Sequence, residues 1–142
     1  MSDGAARLTA VVASTDETVC EVLGRLVEAG GHESVRVTDA DQVSGAVQSA
    51  PAGAVVLDLG ADNVDQLRAL RSGGSERSAQ AVAVVISTGP ANALLAWQAG
   101  ADAVLTRPFA STALAQHLAE AAGRSEDDRA SLRTRMIAEL HA

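Results

Sequence analysis

Five short apolar runs rich in β-branched residues alternate along this sequence with stretches whose apolar residues recur at helical spacing. The runs predict strands at Leu8 to Ala13, Ser34 to Val37, Ala54 to Leu57, Val82 to Ser87 and Ala103 to Thr106. The intervening stretches predict helices at Glu17 to Gly30, Asp39 to Ser49, Val64 to Ser72, Pro90 to Gly100 and Ser111 to Gly123. Parallel strands need crossover helices of this kind, and the crossovers are right-handed. The sequence therefore predicts an α/β fold with a doubly wound, five-stranded parallel sheet in the order 2-1-3-4-5.

The segment 125–142 follows the fifth predicted helix and has the pattern of an additional, amphipathic C-terminal helix. Its apolar stripe consists of Leu132, Met136, Ile137 and Leu140, and charged residues lie on the opposite side. Two arrangements are open: the helix folds back or frays as a tail, which we favour, or it docks on a partner or dimerises. We therefore divide the chain into a domain at 1–124 and a C-terminal helix or tail at 125–142.

Composition excludes several classes of protein. With a net charge of −7 and no basic run, the chain lacks the surface that neutralises many phosphates, so we expect no direct binding of nucleic acid. Lysine is absent, which excludes a phosphate-loop lysine and a Schiff-base lysine. Cys20 is the only cysteine, as is typical of proteins from a reducing cytoplasm. No apolar run approaches the roughly 20 residues that span a bilayer, so we expect no membrane insertion and a cytoplasmic location.

Functional sites in sheets of this kind form at the carboxyl ends of the strands. The residues to inspect are therefore Ser14 to Asp16, Asp58, Ser87 to Gly89 and Thr106 to Pro108. An enzyme would need a nucleophile with its base or a pair of carboxylates, and no such set follows these strands. We therefore expect that the chain is not an enzyme.

Three segments carry a resemblance to a known family. The sequence AGADAVLTRPF at Ala99 to Phe109, VVLDL at Val55 to Leu59 and VVIS at Val84 to Ser87 follow one another in the order and spacing of that family. Over about residues 7–124 the chain resembles the receiver domain of two-component response regulators, which has a flavodoxin-like fold. The domain at 1–124 is accordingly identified as receiver-like.

The resemblance implies a role for each matching residue. Asp58 stands at the position of the phosphoacceptor aspartate. Ser87, Thr88, Arg107 and Pro108 stand at the positions of the switch and phosphate-contacting residues, and the resemblance implies a cis peptide bond before Pro108.

The same resemblance exposes departures from the family pattern. Ser14 and Thr15 occupy the positions of the two acidic residues that hold magnesium in receivers, and hydroxyls replace carboxylate charge poorly. Asp16 comes one position too late. The phosphate-pairing lysine is replaced by Arg107, whose shape and hydration differ. Val104 occupies the aromatic switch position, and the loop LGADNVD after the third strand is shorter than the family's and lacks its proline and glycine.

These departures lead to a structural hypothesis about Asp58. We expect its carboxylate to be paired with the Arg107 guanidinium, because a bidentate ion pair satisfies the carboxylate without a metal. Asp58 as a true phosphoacceptor remains the alternative. We expect no cofactor and no metal site; weak Mg²⁺ binding at Asp16 and Asp58 belongs to that alternative. Ser14 and Thr15 could hold a small anion, but capping of the first helix, with Thr15 or Asp16 as its cap, is the commoner role.

The sequence thus indicates an atypical, pseudo-receiver module that signals by protein–protein contact, independently of phosphorylation, with a regulatory protein or histidine kinase as partner or as a homodimer. A working receiver, phosphorylated on Asp58 by a histidine kinase with Mg²⁺, is the first alternative. A flavodoxin-like binder of a small ligand is the second.

Several other residues have two readings. Trp97 is expected in the core, with an interface anchor as the alternative. Candidate interface residues are Trp97, Val104, Leu132, Ile137 and Leu140. All three histidines, His32, His117 and His141, are expected at the surface, and Cys20 is expected to pack against its neighbours. Asp62 and Asp65 are expected to be solvated or capping groups.

Overall fold

The computed structural model describes residues 7–73 and 75–141. Its strands are β1 (Thr9–Ser14), β2 (Glu33–Val37), β3 (Ala54–Asp58), β4 (Val82–Ser87) and β5 (Ala103–Thr106). Its α-helices are α1 (Glu17–Ala29), α2 (Val43–Ser49), α3 (Asp62–Ser72), α4 (Glu76–Gln80), α5 (Pro90–Ala99), α6 (Ala113–Ala122) and α7 (Glu126–His141). A short 3₁₀ turn, Ala40–Gln42, precedes α2.

The strands form one parallel sheet in the order β2-β1-β3-β4-β5, so the predicted fold class is confirmed. The central strand β3 is the most apolar of the runs, and it is buried up to Leu57 because helices cover both faces of the sheet. The register places Ser14 beside Asp58 and Ser87 beside Thr106. These pairs bring four strand ends to one edge of the sheet.

Alternate side chains of each strand feed two separate cores, as the pleat requires. On β3, Val55 and Leu57 pack on one face, and Ala54 and Val56 pack on the other. The first face is covered by α2, α3, α5 and α7, and the second by α1 and α6.

Three local elements differ from the predictions. The segment between the predicted helix ending at Ser72 and the predicted strand starting at Val82, for which no helix is predicted, contains the one-turn helix α4. The second helix starts at Val43 because the Asp39 carboxylate accepts a hydrogen bond from the Asp41 N–H and holds the preceding residues in a 3₁₀ turn. The helix α6 starts at Ala113 without a side-chain cap, so the start predicted at Ser111 is wrong by two residues.

His32 does not lie at the surface, and that prediction is wrong. The ring is 6% exposed, and its Nδ1 accepts a hydrogen bond of 3.1 Å from the Leu8 N–H at the start of the first strand. Burial lowers the pKa of His32, which favours the neutral ring that this hydrogen bond requires. The expected packing of Cys20 is confirmed, since its thiol is 1% exposed and lies near the carbonyl oxygens of Val12 and Val37.

The C-terminal helix α7 folds back onto the domain and packs against α5. Its apolar stripe, including Leu132, Ile137 and Leu140, contacts the core on that face of the sheet. Trp97 is 6% exposed and belongs to the same core, with half-buried Val104 beside it. Of the candidate interface residues, Trp97 is therefore buried, whereas Val104, Leu132, Ile137 and Leu140 are half-buried and contact the core of this chain.

Candidate functional site

The edge of the sheet where β1, β3, β4 and β5 end holds the residues singled out from the sequence. Asp58 closes β3, Ser87 closes β4, and Arg107 follows β5. The Arg107 N–H donates to the Ser87 carbonyl at 3.3 Å, which ties the end of the fifth strand to the end of the fourth. The Arg107–Pro108 peptide bond is cis, as the resemblance implied.

Asp58 and Arg107 form a two-point ion pair. Arg107 Nη1 donates to Asp58 Oδ1 at 3.1 Å, and Nη2 donates to Oδ2 at 2.5 Å. The Asp58 side chain is 11% exposed and that of Arg107 is 40% exposed. Two parallel hydrogen bonds match the guanidinium fork to both carboxylate oxygens. The pairing expected from the sequence is therefore present in the structure.

The hydroxyls after β4 are engaged locally rather than with Asp58. The Ser87 hydroxyl donates to the Gly89 carbonyl at 3.0 Å and accepts from the Gly89 N–H at 3.2 Å. Thr88 is exposed, and its hydroxyl accepts from Asn92 Nδ2 at 3.1 Å. Both hydroxyls thus stabilise the turn that leads into α5.

The end of β1 is organised around the start of α1. Asp16 is the N-cap, since its Oδ1 accepts from the backbone N–H groups of Thr18 and Val19 at 2.9 and 3.1 Å. The Ser14 hydroxyl is buried and accepts from the Asp16 N–H at 3.3 Å, and Thr15 is exposed. Of the two residues suggested as the cap, Asp16 has this role.

The donor set at this edge does not fit a magnesium ion. Magnesium sites in proteins rely on carboxylate charge in near-octahedral geometry. Both Asp58 oxygens face a guanidinium, the Asp16 carboxylate caps a helix, and positions 14 and 15 are uncharged. Within residues 7–73 and 75–141, no three histidine, cysteine or acidic side chains group closely enough to hold a metal.

Asn63 is a site residue that the sequence analysis did not identify. It is 5% exposed in the first turn of α3; its Oδ1 accepts from the Leu59 N–H at 2.7 Å, and its Nδ2 donates to the Ile86 carbonyl at 3.1 Å. The short loop after Asp58 is thereby fixed to the end of β4. An asparagine at the start of a helix directly after a buried strand was the available signal. The neighbouring Asp62 and Asp65 belong to the same helix turn and are exposed, as expected.

Asp102, at the start of β5, is the second residue that was missed. Its carboxylate is fully buried, and three guanidinium groups converge on it, from α3 and from α7. The donor atoms are Arg71 Nη2 at 3.0 Å, Arg129 Nε and Nη2 at 2.7 and 2.8 Å, Arg133 Nη2 at 2.8 Å and the Ala83 N–H at 2.9 Å. We call these four side chains the Asp102 cluster. An acidic residue between alanines in an apolar run was its only sequence signal.

The charges of the Asp102 cluster are set by burial and by hydrogen bonding. Burial alone would raise the pKa of Asp102, but hydrogen bonds from Arg129 and the Ala83 N–H outweigh it and lower that pKa. Burial lowers the pKa of Arg71 to about 10, which leaves the guanidinium protonated at neutral pH. Arg71 also donates to the Gly100 carbonyl. Position 100 requires glycine, because its φ is 110° and a Cβ there would crowd the Arg71 side chain. The cluster therefore joins α3, β5 and α7.

No protein-family model and no curated protein matches the sequence. Solved structures do match the fold. A response-regulator-like protein of Chloroflexus aurantiacus J-10-fl is 16% identical with a TM-score of 0.75, over 84% of this chain and 100% of the other. The response regulator (signal receiver domain) of Bermanella marisrubri is 18% identical with a TM-score of 0.70, over 81% and 98%. The chemotaxis response regulator CheY4 of Vibrio cholerae is 13% identical with a TM-score of 0.69, over 82% and 99%.

These likenesses agree with the order of the strands in the sheet. In the described part of the chain, no helix combines the length and the apolar character that crossing a membrane requires. The five-stranded sheet, its strand order and its helical layers are those of response-regulator receiver domains, and an additional C-terminal helix completes the fold.

Proposed function

We propose that this chain is a pseudo-receiver, a member of the receiver family that acts in cytoplasmic signal transduction by contacting a regulatory protein and does not depend on phosphorylation. It has no catalytic activity of its own in this proposal. The observation that carries it is the two-point ion pair between Asp58 and Arg107.

The ion pair supports this proposal through charge. A guanidinium carries a positive charge on a rigid fork of donors, so Arg107 offsets the negative charge of Asp58. A divalent cation at the same place would have to displace Arg107 or be repelled by it, with no second carboxylate to hold it. The aspartate therefore lacks the metal-assisted environment in which phosphoryl transfer is stabilised.

The groups that would transmit a change at Asp58 also support the proposal. The Ser87 hydroxyl bonds to Gly89, and the fifth strand presents Val104 in place of an aromatic ring that could change rotamer. The helix α7 packs against α5, so part of the α5 surface is covered by this chain's own C-terminal helix. A partner, either a regulatory protein or a second copy of the chain, would bind a surface whose conformation does not change with phosphorylation.

A conventional receiver is the second candidate. It is favoured by the position of Asp58 at the end of β3, at one end of a cavity that Ser87, Thr88 and Arg107 also line. In that case a histidine kinase would phosphorylate Asp58 with Mg²⁺ as cofactor.

A titration with Mg²⁺ and beryllofluoride, followed by amide NMR, separates the two candidates. We expect no saturable shift at Asp58, Ser87 or Arg107, because the ion pair persists. Mg²⁺ with fluoride alone is the control for ionic strength. Saturable shifts at these amides that need beryllium and Mg²⁺ together would support the conventional receiver instead.

A further inference from the structure

A cavity of about 540 Å³ opens beside the Asp58–Arg107 pair, between α3 and α5. Its floor is the end of β4, including Val85 and Ser87. Val64 and Arg68 of α3 form one wall, and Asn92, Leu95 and Ala96 of α5 form the other. The volume lies in the range of natural small-molecule sites, and the lining combines apolar surface with a few polar groups, as such sites do.

The charge of this cavity is positive. Asp58 is the only carboxylate among its described lining residues, and Arg107 already neutralises it. Arg68 lines the cavity and is exposed, and its guanidinium has no hydrogen bond or ion pair within residues 7–73 and 75–141. One uncompensated guanidinium therefore faces a cavity in a chain whose net charge is −7.

The apolar part of the lining defines the rest of the ligand. Val64, Val85 and Ala96 supply aliphatic surface, and Leu95, which is 43% exposed, adds to it. Asn92 and Thr88, which are exposed and hydrogen-bonded to each other, add an amide and a hydroxyl to the lining. A bare inorganic anion would leave the aliphatic lining exposed to water. A neutral apolar compound would leave the Arg68 guanidinium without a counter-charge.

We propose that the cavity between α3 and α5 binds a small organic anion, with its acidic group on Arg68 and its apolar body against Val64, Val85 and Leu95. A second groove, lined by Val19, Val22 and Phe109 among others, is apolar but is a poorer site for an anion. The one arginine among its lining residues is Arg107, which is already paired with Asp58. This proposal uses the same Asp58–Arg107 pair as the proposed function, but the two have separate tests, since probe binding to the unmodified protein tests this one and the beryllofluoride titration tests the other.

The test uses 2-naphthoate as the probe and amide NMR as the measurement. We expect saturable shifts at Val64, Arg68, Asn92 and Leu95, at a concentration where neutral 2-naphthalenemethanol and inorganic phosphate cause none. The Arg68→Gln variant is expected to weaken binding about tenfold, because a charge-assisted hydrogen bond is lost. Arg68 is exposed, so this variant is expected to fold.

The matched control is Arg25→Gln, which removes an exposed guanidinium from α1 and should leave the affinity unchanged. The proposal is overturned by the absence of saturable shifts, by shifts confined to the groove of Val19, Val22 and Phe109, or by equal affinity in the wild type and Arg68→Gln. Equal affinity for the naphthoate and the neutral alcohol would overturn it as well.

Discussion

Replacing Asp102 with alanine is expected to destabilise the domain by about 3–5 kcal/mol, because the substitution leaves buried guanidinium groups without a counter-charge. Arg71 and Arg129 are 16% and 11% exposed, so water can compensate them only in part. A loss of this size is a large fraction of the roughly 5–15 kcal/mol that stabilises a typical domain. Urea unfolding followed by circular dichroism measures it directly.

The control is Glu21→Ala, which removes an exposed partner of Arg25 and Arg36 and should cost less than about 1 kcal/mol. The loss of stability in Asp102→Asn should lie between the losses in Asp102→Ala and Glu21→Ala. The amide keeps one acceptor oxygen, but its N–H donors would face the guanidinium groups. Equal stability of Asp102→Ala and the wild type would show that the Asp102 cluster does not stabilise the domain.

Acid titration should show the same contribution. A carboxyl whose folded-state pKa is lowered stabilises the protein above its ordinary pKa, and that contribution is lost as pH falls towards the lowered value. Asp102 is such a group. The stability difference between the wild type and Asp102→Asn should therefore be full at neutral pH and shrink in acid.

Restoring the acidic pair and the lysine is expected to create a magnesium site. In the triple variant with Ser14→Asp, Thr15→Asp and Arg107→Lys, three carboxylates meet at the ends of β1 and β3, because Ser14 lies beside Asp58 in the sheet. Their mutual repulsion should destabilise the metal-free protein. Added Mg²⁺ should then raise the melting temperature, since binding adds about 2.7 kcal/mol of stability at a hundredfold excess over Kd.

The matched control carries Ser14→Asn, Thr15→Asn and Arg107→Lys, which gives similar shapes without the added negative charge. Calorimetry should show Mg²⁺ binding only to the acidic variant. The electrostatic explanation fails if the wild type binds Mg²⁺ as tightly as the acidic variant, or if the asparagine variant does.

The sheet could be predicted because its signals are local. The β-branched runs and the glycines between them locate the five strands to within about a residue, and alternation with helices dictates parallel pairing. The helix α4 was missed because one turn of polar residues, Glu76–Gln80, has no apolar stripe of its own. His32 was misplaced because its environment depends on a residue 24 positions away, Leu8, whose N–H donates to the ring.

The site was predictable only in part. The ion pair between Asp58 and Arg107 follows from two strand ends that the fold places side by side. The Asp102 cluster joins Asp102 to arginines of α3 and α7 that lie up to 31 positions from it, and no spacing in the sequence indicates which arginines point into the core. Asn63 is similar, since its partner Ile86 lies 23 positions away.

Intact mass spectrometry after incubation with acetyl phosphate and Mg²⁺ tests the central claim most directly, because it counts phosphoryl groups on the chain. A wild-type protein whose Asp58 is held by Arg107 should keep its unmodified mass, with Asp58→Asn as the reference for background. A stoichiometric gain of one phosphoryl group in the wild type, absent in Asp58→Asn, would contradict the account.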